Sequence, residues 1–266
     1  MIGRKMATTD GLKIDLRRKK ILELLHQDGQ VRVSQLSDAL DVSEVTIRND
    51  LSALENDGFL QRIQGGAIQT VKDFYHYDSL LRSLDKSAAK KQIAIAAAAL
   101  VNDGETLLIN SGSTTLMTAI ELSNQKKNLN IVTNSFPVAM EFGAHPSSRV
   151  IMLGGEINTQ YTFTYGKDAQ EQLRRYKADK TILSIDGICP DNGLTTFHAE
   201  EAAIDYMMME RSRETVIVAD SSKYRHESFS HISDIEKVHY WVTDSNIEPE
   251  AFRVMENSGV KIVQGL

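Results

Sequence analysis

The sequence predicts two domains: a small helical domain that ends in a β-hairpin and, after it, an α/β domain with a mainly parallel sheet. At 266 residues the chain is long for one compact core and comfortable for two domains. Apolar residues first recur at helical spacing, whereas from residue 106 onward short β-branched runs alternate with amphipathic helical patterns. Such alternation is typical of a parallel sheet with helices on its faces. We place the first domain at residues 15–71, a linker at 72–84 and the second domain at 85–266.

Composition excludes several kinds of protein. Hydrophobic residues make up 41% of the chain and charged residues 25%, which rules out wholesale disorder. With a single cysteine, Cys189, no intrachain disulfide can form. The longest apolar run, residues 93–101, is about half of the roughly 20 residues that span a bilayer, and it lies deep inside the chain. We therefore expect a cytoplasmic protein without a membrane anchor.

The formal net charge is −6, yet seven of the first twenty residues are basic and only two are acidic. A basic end on an acidic body suggests a segment that meets an anion, although a solvated charged tail fits the same pattern. Four basic residues open a predicted helix whose apolar face contains Ile21, Leu24 and Leu25. They are Arg17, Arg18, Lys19 and Lys20. Gly29 is predicted to end this helix as its C-cap.

Two shorter helices are predicted next. Ser34 fits as N-cap of the second helix, and Ser43 fits as N-cap of the third, which covers about residues 44–57. Only residues 41–43 separate the two helices, so they must cross steeply, as in a helix-turn-helix.

The third helix has an apolar face and a polar face. Ile47, Leu51 and Leu54 form the apolar stripe. The polar residues at its N-terminal end are Ser43, Thr46, Arg48 and Asn49. Arginine can bind guanine, and asparagine adenine, through two hydrogen bonds, so this face suits contact with base edges in a DNA major groove. Taken alone, the pattern fits a small helical domain with a polar surface equally well.

A β-hairpin after the third helix favours DNA binding. Residues 59–64 and 67–71 are strand-like, and Gly65 and Gly66 provide a tight turn between them. Three helices followed by such a wing form a winged helix-turn-helix. We expect DNA contacts from Arg17, Arg18, Lys19, Ser34, Ser43, Thr46, Arg48, Asn49, Arg62 and Gln64.

This domain resembles the DeoR family of bacterial transcriptional regulators. The matching segments are VSQLS at residues 33–37, VSEVTIRNDL at 42–51, LENDGFL at 54–60 and GGA at 65–67. The central motif, S-x-x-T-I-R-x-D-L-x-x-L-E-x-x-G, fixes nine positions. Gln64 departs from the family pattern, which usually has histidine before Gly-Gly-Ala.

The second domain alternates strands and helices. The predicted strands are residues 106–110, 130–133, 150–153, 181–185, 215–219, 239–242 and 260–263. The predicted helices between them are residues 115–123, 137–143, 169–176, 200–213 and 249–258.

Five polar or glycine-containing loops follow these strands. Residues 110–115 (NSGSTT) run from a strand directly into a helix, and their backbone N–H groups and hydroxyls can cradle an anion such as phosphate. The other loops are residues 133–135, 154–155, 186–187 and 220–223. Because ligands of parallel sheets bind beyond the carboxyl ends of the strands, the five loops together favour a binding pocket over plain turns.

With these loops the resemblance to DeoR-type regulators extends over residues 17–264. The second domain looks like their sugar-phosphate sensor domain, whose fold is shared with ribose-5-phosphate isomerase, glucosamine-6-phosphate deaminase and CoA transferases. The resemblance implies that residues 111–115 hold a phosphate or an equivalent group, and that four further residues line the sugar. The expected effector site consists of Asn110, Ser111, Gly112, Ser113, Thr114, Thr115, Thr133, Asn134, Gly154, Gly155, Asp186, Thr195, Glu201 and Lys223.

Three residues of the second domain depart from the family pattern. Asn110 stands where many members have aspartate. Asn158 and Phe163 stand where the common G-G-x-x-R-x-x-x-x-S pattern has arginine and serine. Loss of that arginine removes a cation from the neighbourhood of an anionic effector, which points to an effector that is less charged or bound differently.

We therefore predict a DNA-binding transcriptional regulator that represses carbohydrate-metabolism genes and senses a sugar phosphate or a related metabolite. A single winged helix buries too little surface to be selective, so we expect a homodimer or homotetramer on double-stranded DNA with repeated half-sites.

Two alternatives stay open. A sugar-phosphate isomerase or deaminase would use Asp186, Glu201 and Lys223 for proton transfer. Its D-G-A-D-E and K-G-G-G signatures are absent, however, and DGIC at residues 186–189 keeps only the start of the first, so we expect no enzyme activity. The other alternative is constitutive DNA binding with a ligand-blind second domain.

We expect neither a metal nor a cofactor. The seven histidines are scattered, without cysteine partners and without H-E-x-x-H spacing, and no G-x-G-x-x-G run occurs. Methionines 207–209 fit packing in a core or between subunits better than a cofactor site.

Overall fold

The computed structural model describes residues 8–56, 59–68 and 87–265, so the linker predicted at residues 72–84 lies outside the described residues. The chain divides into two compact units, Met1–Ser87 and Ala88–Leu266.

The described part of the first unit contains helices and a small antiparallel sheet. Its elements are α1 (Thr8–Asp28), β1 (Gln30–Arg32), α2 (Val33–Leu40), α3 (Glu44–Asn56), β2 (Gln61–Ile63) and β3 (Gly66–Ile68). The central strand, β3, pairs with β2 to form the predicted wing, and it also pairs with β1. The core contains the predicted apolar stripe of α3, since Ile47, Leu51 and Leu54 are fully buried.

The helix ends of this unit agree only in part with the predictions. Gly29 has the left-handed backbone of a C-cap, with φ of +71°. Ser43 caps α3, because its Oγ accepts a hydrogen bond from Thr46 N at 3.2 Å. The prediction that Ser34 caps α2 is wrong: α2 begins at Val33, which leaves Ser34 exposed in the first turn. Short polar residues favour both caps and first turns, so the sequence does not separate the two positions.

The wing turn is shifted by one residue from the prediction. Gln64 and Gly65 form the turn, and Gly65 has φ of +79°. Gly66 already belongs to β3, where a Cβ atom would lie 2.0 Å from the carbonyl oxygen of Val31. This glycine is therefore required for the close approach of β1. Residues 69–71 of the predicted return strand lie outside the described residues.

The second unit is built on a large sheet with two small antiparallel additions. Its strands are β4 (Thr106–Ile109), β5 (Asn130–Thr133), β6 (Arg149–Met152), β7 (Glu156–Asn158), β8 (Phe163–Tyr165), β9 (Ala178–Leu183), β10 (Gly187–Cys189), β11 (Gly193–Thr196), β12 (Ser212–Val218), β13 (Ser230–Ser233), β14 (Tyr240–Thr243) and β15 (Lys261–Gln264). Its helices are α4 (Ser87–Ala99), α5 (Ser113–Gln125), α6 (Phe136–Gly143), α7 (Lys167–Leu173), α8 (Ala199–Glu210) and α9 (Pro249–Asn257), with 3-10 turns at Ser221–Lys223 and Ile235–Lys237.

The large sheet has seven strands in the order β15-β14-β12-β9-β4-β5-β6, all parallel, which confirms the predicted fold class. The chain moves from β4 outward to β6 and then returns to the other side of β4 with β9. The strand order therefore reverses between β4 and β9. Connections leave these two strands in opposite directions, and at such a reversal a binding crevice is expected beyond the carboxyl ends of the strands.

Helices cover both faces of the sheet. Residues of α4, α5 and α6 pack with Leu107 and Ile109 on one face. Residues of α7, α8 and α9 pack with Leu108 on the other face. Met208 and Met209 of α8 are buried in this second cluster, so their predicted role in packing agrees with the structure. None of the helices in the described ranges is long and apolar enough to cross a membrane.

Two antiparallel additions were not predicted. β7 and β8 form a hairpin, and β10, β11 and β13 form a three-stranded sheet. Their strands are three or four residues long, too short for an alternating pattern to show in the sequence. In the chain, β7 and β8 follow β6, β10 and β11 follow β9, and β13 follows β12. The additions therefore lie at the carboxyl edge of the large sheet, beside the crevice.

Candidate functional sites

The polar face of α3 lies on the surface of the first unit. Ser43, Arg48 and Asn49 are exposed, and Thr46 is half-buried. The Arg48 guanidinium donates a hydrogen bond to Glu44 one turn earlier, and half of its side chain is accessible to solvent (50%). These four side chains thus lie at the N-terminal part of α3 with some surface accessible to solvent, as our prediction of base contacts requires.

The wing is tied to this helix. Arg62 in β2 donates from Nη1 to Ser52 Oγ at 2.8 Å, and its backbone N–H donates to Glu55 at 2.8 Å. Ser52 in turn donates to the carbonyl oxygen of Arg48 at 2.8 Å. Gln64 is exposed in the wing turn. The wing therefore presents Arg62 and Gln64 on a surface that is held to α3.

Arg17 and Arg18, which we expect to contact DNA, also bind a buried carboxylate within the first unit. Arg17 Nε lies 2.5 Å and Arg18 Nε 3.2 Å from the carboxylate of Asp50, a residue of α3 that is only 3% exposed. The two arginine side chains are themselves only 19% and 21% exposed. A buried carboxylate needs a cationic partner, so both guanidinium groups stabilise the packing of α1 on α3. Lys19, in contrast, is exposed.

In the second unit, Asn110 joins the two strands at which the strand order reverses. It follows β4 and exchanges hydrogen bonds with the backbone of Ser184, which follows β9: Nδ2 donates to Ser184 O, and Ser184 N donates to Oδ1, both at 2.9 Å. Nδ2 also lies 3.0 Å from each carboxylate oxygen of Asp205 in α8. Asn110 is 0% exposed and committed to these partners, so it fixes the two strand ends beside the crevice, and its expected contact with the effector stays a prediction.

Asp205 lies completely inside the second unit. Burial raises the pKa of its carboxyl group well above the usual value, and the negative charge of Glu201 raises it further. The hydrogen bond from Asn110 acts in the opposite direction. An aspartate at position 110 would set a second carboxylate against Asp205, which explains why this chain has asparagine there.

Hydroxyls and carboxylates form a connected network above Asn110. Ser111 Oγ donates to Glu201 Oε1. Thr196 Oγ1 lies 3.2 Å from Glu201 Oε2 and 3.3 Å from Asp186 Oδ2. Lys223 Nζ is 3.6 Å from Asp186 Oδ1. The structure therefore brings together four predicted residues from four separate segments of the chain.

Thr196 is a member of this network that the sequence analysis missed. We named its neighbour Thr195, whose Oγ1 instead accepts a hydrogen bond from Ser228 N at 2.9 Å and holds the segment before β13. Adjacent residues of a strand point to opposite sides. The sequence does not tell which of two consecutive threonines faces the crevice, because β11 itself was not predicted.

The loop before α5 requires a glycine. Gly112 has φ of +151°, and a Cβ atom there would lie 2.6 Å from Ser184 Cβ. Gly112 makes no side-chain cap for α5. The first N–H groups of a helix have no intrahelical acceptor, so those of Ser113, Thr114 and Thr115 are available to an anion at this helix terminus. The Thr114 and Thr115 side chains are buried, and Thr115 Oγ1 donates to Gly112 O at 3.0 Å, so only Ser113 offers a partly exposed hydroxyl.

The remaining predicted residues mainly hold the loops in place. Thr133 Oγ1 donates to Ile109 O at 2.6 Å. Asn134 Nδ2 donates to Thr164 O at 3.0 Å, and Gly154 N donates to Gln172 Oε1 at 3.0 Å. Gly155 has φ of +142°, and a Cβ atom there would lie 2.4 Å from Tyr165 O. These contacts fix the β7–β8 hairpin beside the crevice.

The two hairpin residues that depart from the family pattern are cross-strand partners: Asn158 in β7 pairs with Phe163 in β8. Phe163 is buried, and its ring centroid lies 6.0 Å from that of His198. An aromatic ring therefore occupies the place of the common serine.

A cavity of about 360 Å³ lies beyond the carboxyl ends of β12 and β14 and was not predicted. Its lining includes Tyr224, Arg225 and Ile247, and it adjoins the segment that carries Lys223. Across the described ranges, no three histidine, cysteine, aspartate or glutamate residues are grouped so that they could hold a metal ion.

Comparison with known proteins identifies both units. Residues 17–72 match the protein family described as "DeoR-like helix-turn-helix domain", and residues 85–245 match the family described as "DeoR C terminal sensor domain". The uncharacterized HTH-type transcriptional regulator YulB of Bacillus subtilis is 34% identical, and the match covers 92% of this chain and 95% of that protein. A putative aga operon transcriptional repressor of Escherichia coli O157:H7 is 30% identical, with 93% and 92% covered. The lactose phosphotransferase system repressor of Lactococcus lactis is 29% identical, with 88% and 92% covered.

These relatives are named as transcriptional regulators or repressors, and each match covers nearly the whole length of the relative. Both findings favour the regulator over the isomerase alternative. The chain belongs to the DeoR family of transcriptional regulators.

Proposed function

We propose that this protein represses genes of carbohydrate metabolism and that a phosphorylated sugar or a related small metabolite, bound in the crevice of the second unit, changes its affinity for an operator. The exposed polar face of α3, backed by a fully buried apolar stripe and flanked by the wing, carries the DNA-binding part of the proposal. The repressor names of two relatives, one of them for a lactose system, support the carbohydrate part.

The contacts suggest a division of roles on DNA. Arg48 would exchange its bond to Glu44 for the two acceptors of a guanine, and Asn49 would contact an adjacent base. Lys19 and Arg62 would contact phosphates and supply affinity that depends on salt but not on sequence. Because one such face covers few base pairs, the protein would bind as a homodimer or homotetramer to repeated half-sites.

The crevice suits a ligand with two different ends. The free N–H groups at the start of α5 would hold the anionic group, helped by the positive end of the helix dipole. The network of Ser111, Thr196 and Glu201 would meet hydroxyl groups. The ligand can change operator affinity only through its different affinities for the DNA-binding and the released state.

Fluorescence anisotropy tests the proposal. An operator selected from a random duplex library is titrated with the protein, with and without a panel of sugar phosphates. We expect nanomolar binding at low salt and a loss of about tenfold or more with at least one sugar phosphate. Unselective binding, or binding that no sugar phosphate alters, contradicts the proposal.

A matched pair of variants locates the ligand. Ser113→Glu places a negative charge at the helix terminus and should abolish the ligand effect, whereas Ser113→Gln has the same size without the charge and should keep it. Both variants should bind the operator as the wild type does. If both lose the ligand effect alike, charge at this terminus is not what binds the ligand.

A further inference from the structure

Two buried polar atoms next to the crevice have no hydrogen-bond partner within the described part of the chain: Asn134 Oδ1 and His198 Nε2. Asn134 is 0% exposed, so bulk water does not reach its oxygen. Buried polar atoms are nearly always hydrogen-bonded, and an unmet one is unfavourable enough to require an explanation.

Asn134 lies at the carboxyl edge of the sheet, one strand away from Asn110. β4 and β5 are in register with Ile109 opposite Thr133, so Asn110 and Asn134 are the next residues on the two strands. The Asn134 amide nitrogen and the backbone oxygen are taken by Thr164 of β8, at 3.0 and 2.8 Å. Of the two polar side-chain atoms of Asn134, the oxygen is the one without a partner among the described residues, and it needs a donor.

His198 lies on the neighbouring wall of the crevice. It immediately precedes α8, and its carbonyl oxygen accepts from the backbone N–H of Glu201 at 3.1 Å. Glu201 is the carboxylate that holds Ser111. The imidazole is thus one helical turn from the crevice network.

Aromatic rings surround the imidazole. The ring centroid of His198 lies 4.5 Å from that of Tyr161 and 5.2 Å from that of Phe197, both in edge-to-face geometry. Phe163 is 6.0 Å away. Ring faces carry partial negative charge and attract polarised C–H groups, so this wall favours a ligand that combines C–H faces with hydroxyls.

We propose that Asn134, Tyr161, Phe163, Phe197 and His198 form a hydroxyl subsite that receives the carbohydrate part of the effector. A ligand hydroxyl donates to Asn134 Oδ1, another makes a hydrogen bond with His198 Nε2, and the sugar ring packs against the aromatic wall. This inference rests on the proposed function, in which the anionic end of the same ligand lies at the start of α5. It makes His198 a determinant of specificity for a pentose or hexose phosphate over inorganic phosphate.

Isothermal titration tests the subsite with four sugar phosphates (ribose 5-, fructose 6-, glucose 6- and galactose 6-phosphate) and with inorganic phosphate. We expect at least one sugar phosphate to bind the wild type at least about tenfold more tightly than inorganic phosphate, as one or two added hydrogen bonds allow.

His198→Phe keeps a flat ring in the aromatic wall and removes both ring nitrogens. It should lower the affinity for that sugar phosphate about fivefold or more and leave the affinity for inorganic phosphate unchanged. His145→Phe, the same replacement just beyond the end of α6, should not change the affinity for either ligand. Thermal unfolding of each variant confirms that it is folded.

The failures are distinguishable. A wild-type protein that binds none of the five probes contradicts the proposed function itself. Equal affinity for inorganic and sugar phosphates contradicts the hydroxyl subsite alone. So does a His198→Phe variant that retains full selectivity, since the ligand would then not use His198 Nε2.

Discussion

The side chain of Asn110 and the carboxylate of Asp205 meet at 3.0 Å at the point where the strand order of the large sheet reverses. One residue follows β4 and the other lies within α8, so this contact links the floor of the crevice to the helix that carries Glu201. The geometry needs a donor at position 110, because the facing group is an acceptor whenever Asp205 is ionised.

Asn110→Asp should destabilise the second unit. The new carboxylate would face Asp205 in a buried site and would lose the donor to Ser184 O, so we expect a loss of about 2–4 kcal/mol in the free energy of unfolding at pH 7. Urea denaturation measures it. Asn158→Asp, the same replacement on the half-buried hairpin, should cost under about 1 kcal/mol, and equal losses in the two variants would contradict this account.

Asp205 should make stability depend on pH. Its folded pKa is raised by burial and by Glu201, so its protonated form favours the folded state. Its contribution is complete below the unfolded pKa of about 3.9 and is lost as pH rises through the folded pKa. Compared with Asp205→Asn, the wild type should therefore lose relative stability as the pH increases from about 4.

Urea denaturation of the wild type and Asp205→Asn at increasing pH, starting from about pH 4, gives the difference between their free energies of unfolding. Glu105 and Asp244 have lowered pKa values, so their contributions are lost in the opposite direction, as pH falls. They are present in both proteins and cancel in the comparison. A difference that is constant with pH, or that grows in favour of the wild type, is the contrary result.

Arg17 and Lys19 should behave differently although they are two residues apart. Arg17→Ala removes a partner of buried Asp50 and should lower the stability of the first unit by about 1–3 kcal/mol. Lys19→Ala removes an exposed charge and should leave stability unchanged while reducing the salt slope of DNA binding by about 0.9. Thermal unfolding and anisotropy at several salt concentrations separate the two effects. If Arg17→Ala changes only the salt slope of DNA binding and not stability, Arg17 contacts phosphate and the structural role assigned to it is wrong.

The parallel sheet could be predicted because burial on both faces leaves short runs rich in β-branched residues, as at residues 130–133, where prediction and structure agree. Three-residue strands such as β1 are too short to show such a pattern. They form because they pair with a strand far along the chain, which the local sequence does not reveal. The sequence does not separate the roles of individual polar side chains, for a related reason. A basic residue in a basic run has the same sequence signature whether it faces phosphate or a buried carboxylate, so Arg17 and Arg18 could not be distinguished from Lys19.

The crevice shows the same limit. Loop composition brought Ser111, Asp186 and Lys223 to one edge, because parallel strands end together, and the family resemblance added Glu201, which the structure places in the same network. It could not separate residues that contact a ligand from residues such as Asn110 that hold the loops, since both are polar. That distinction depends on burial, which only the packed structure supplies.

Arg48 provides the sharpest test of the DNA-binding face. Its side chain is half-exposed and its ion pair with Glu44 is on the surface, so Arg48→Ala should leave thermal stability nearly unchanged. The loss of two hydrogen bonds to guanine should weaken the selected operator by about 1–3 kcal/mol and blur the preference at one base pair, while non-specific binding falls much less. Arg213→Ala removes a more exposed, ion-paired arginine from the second unit and should not change operator binding. If both variants retain wild-type sequence preference in anisotropy with single-base operator variants, α3 does not read the operator through this residue.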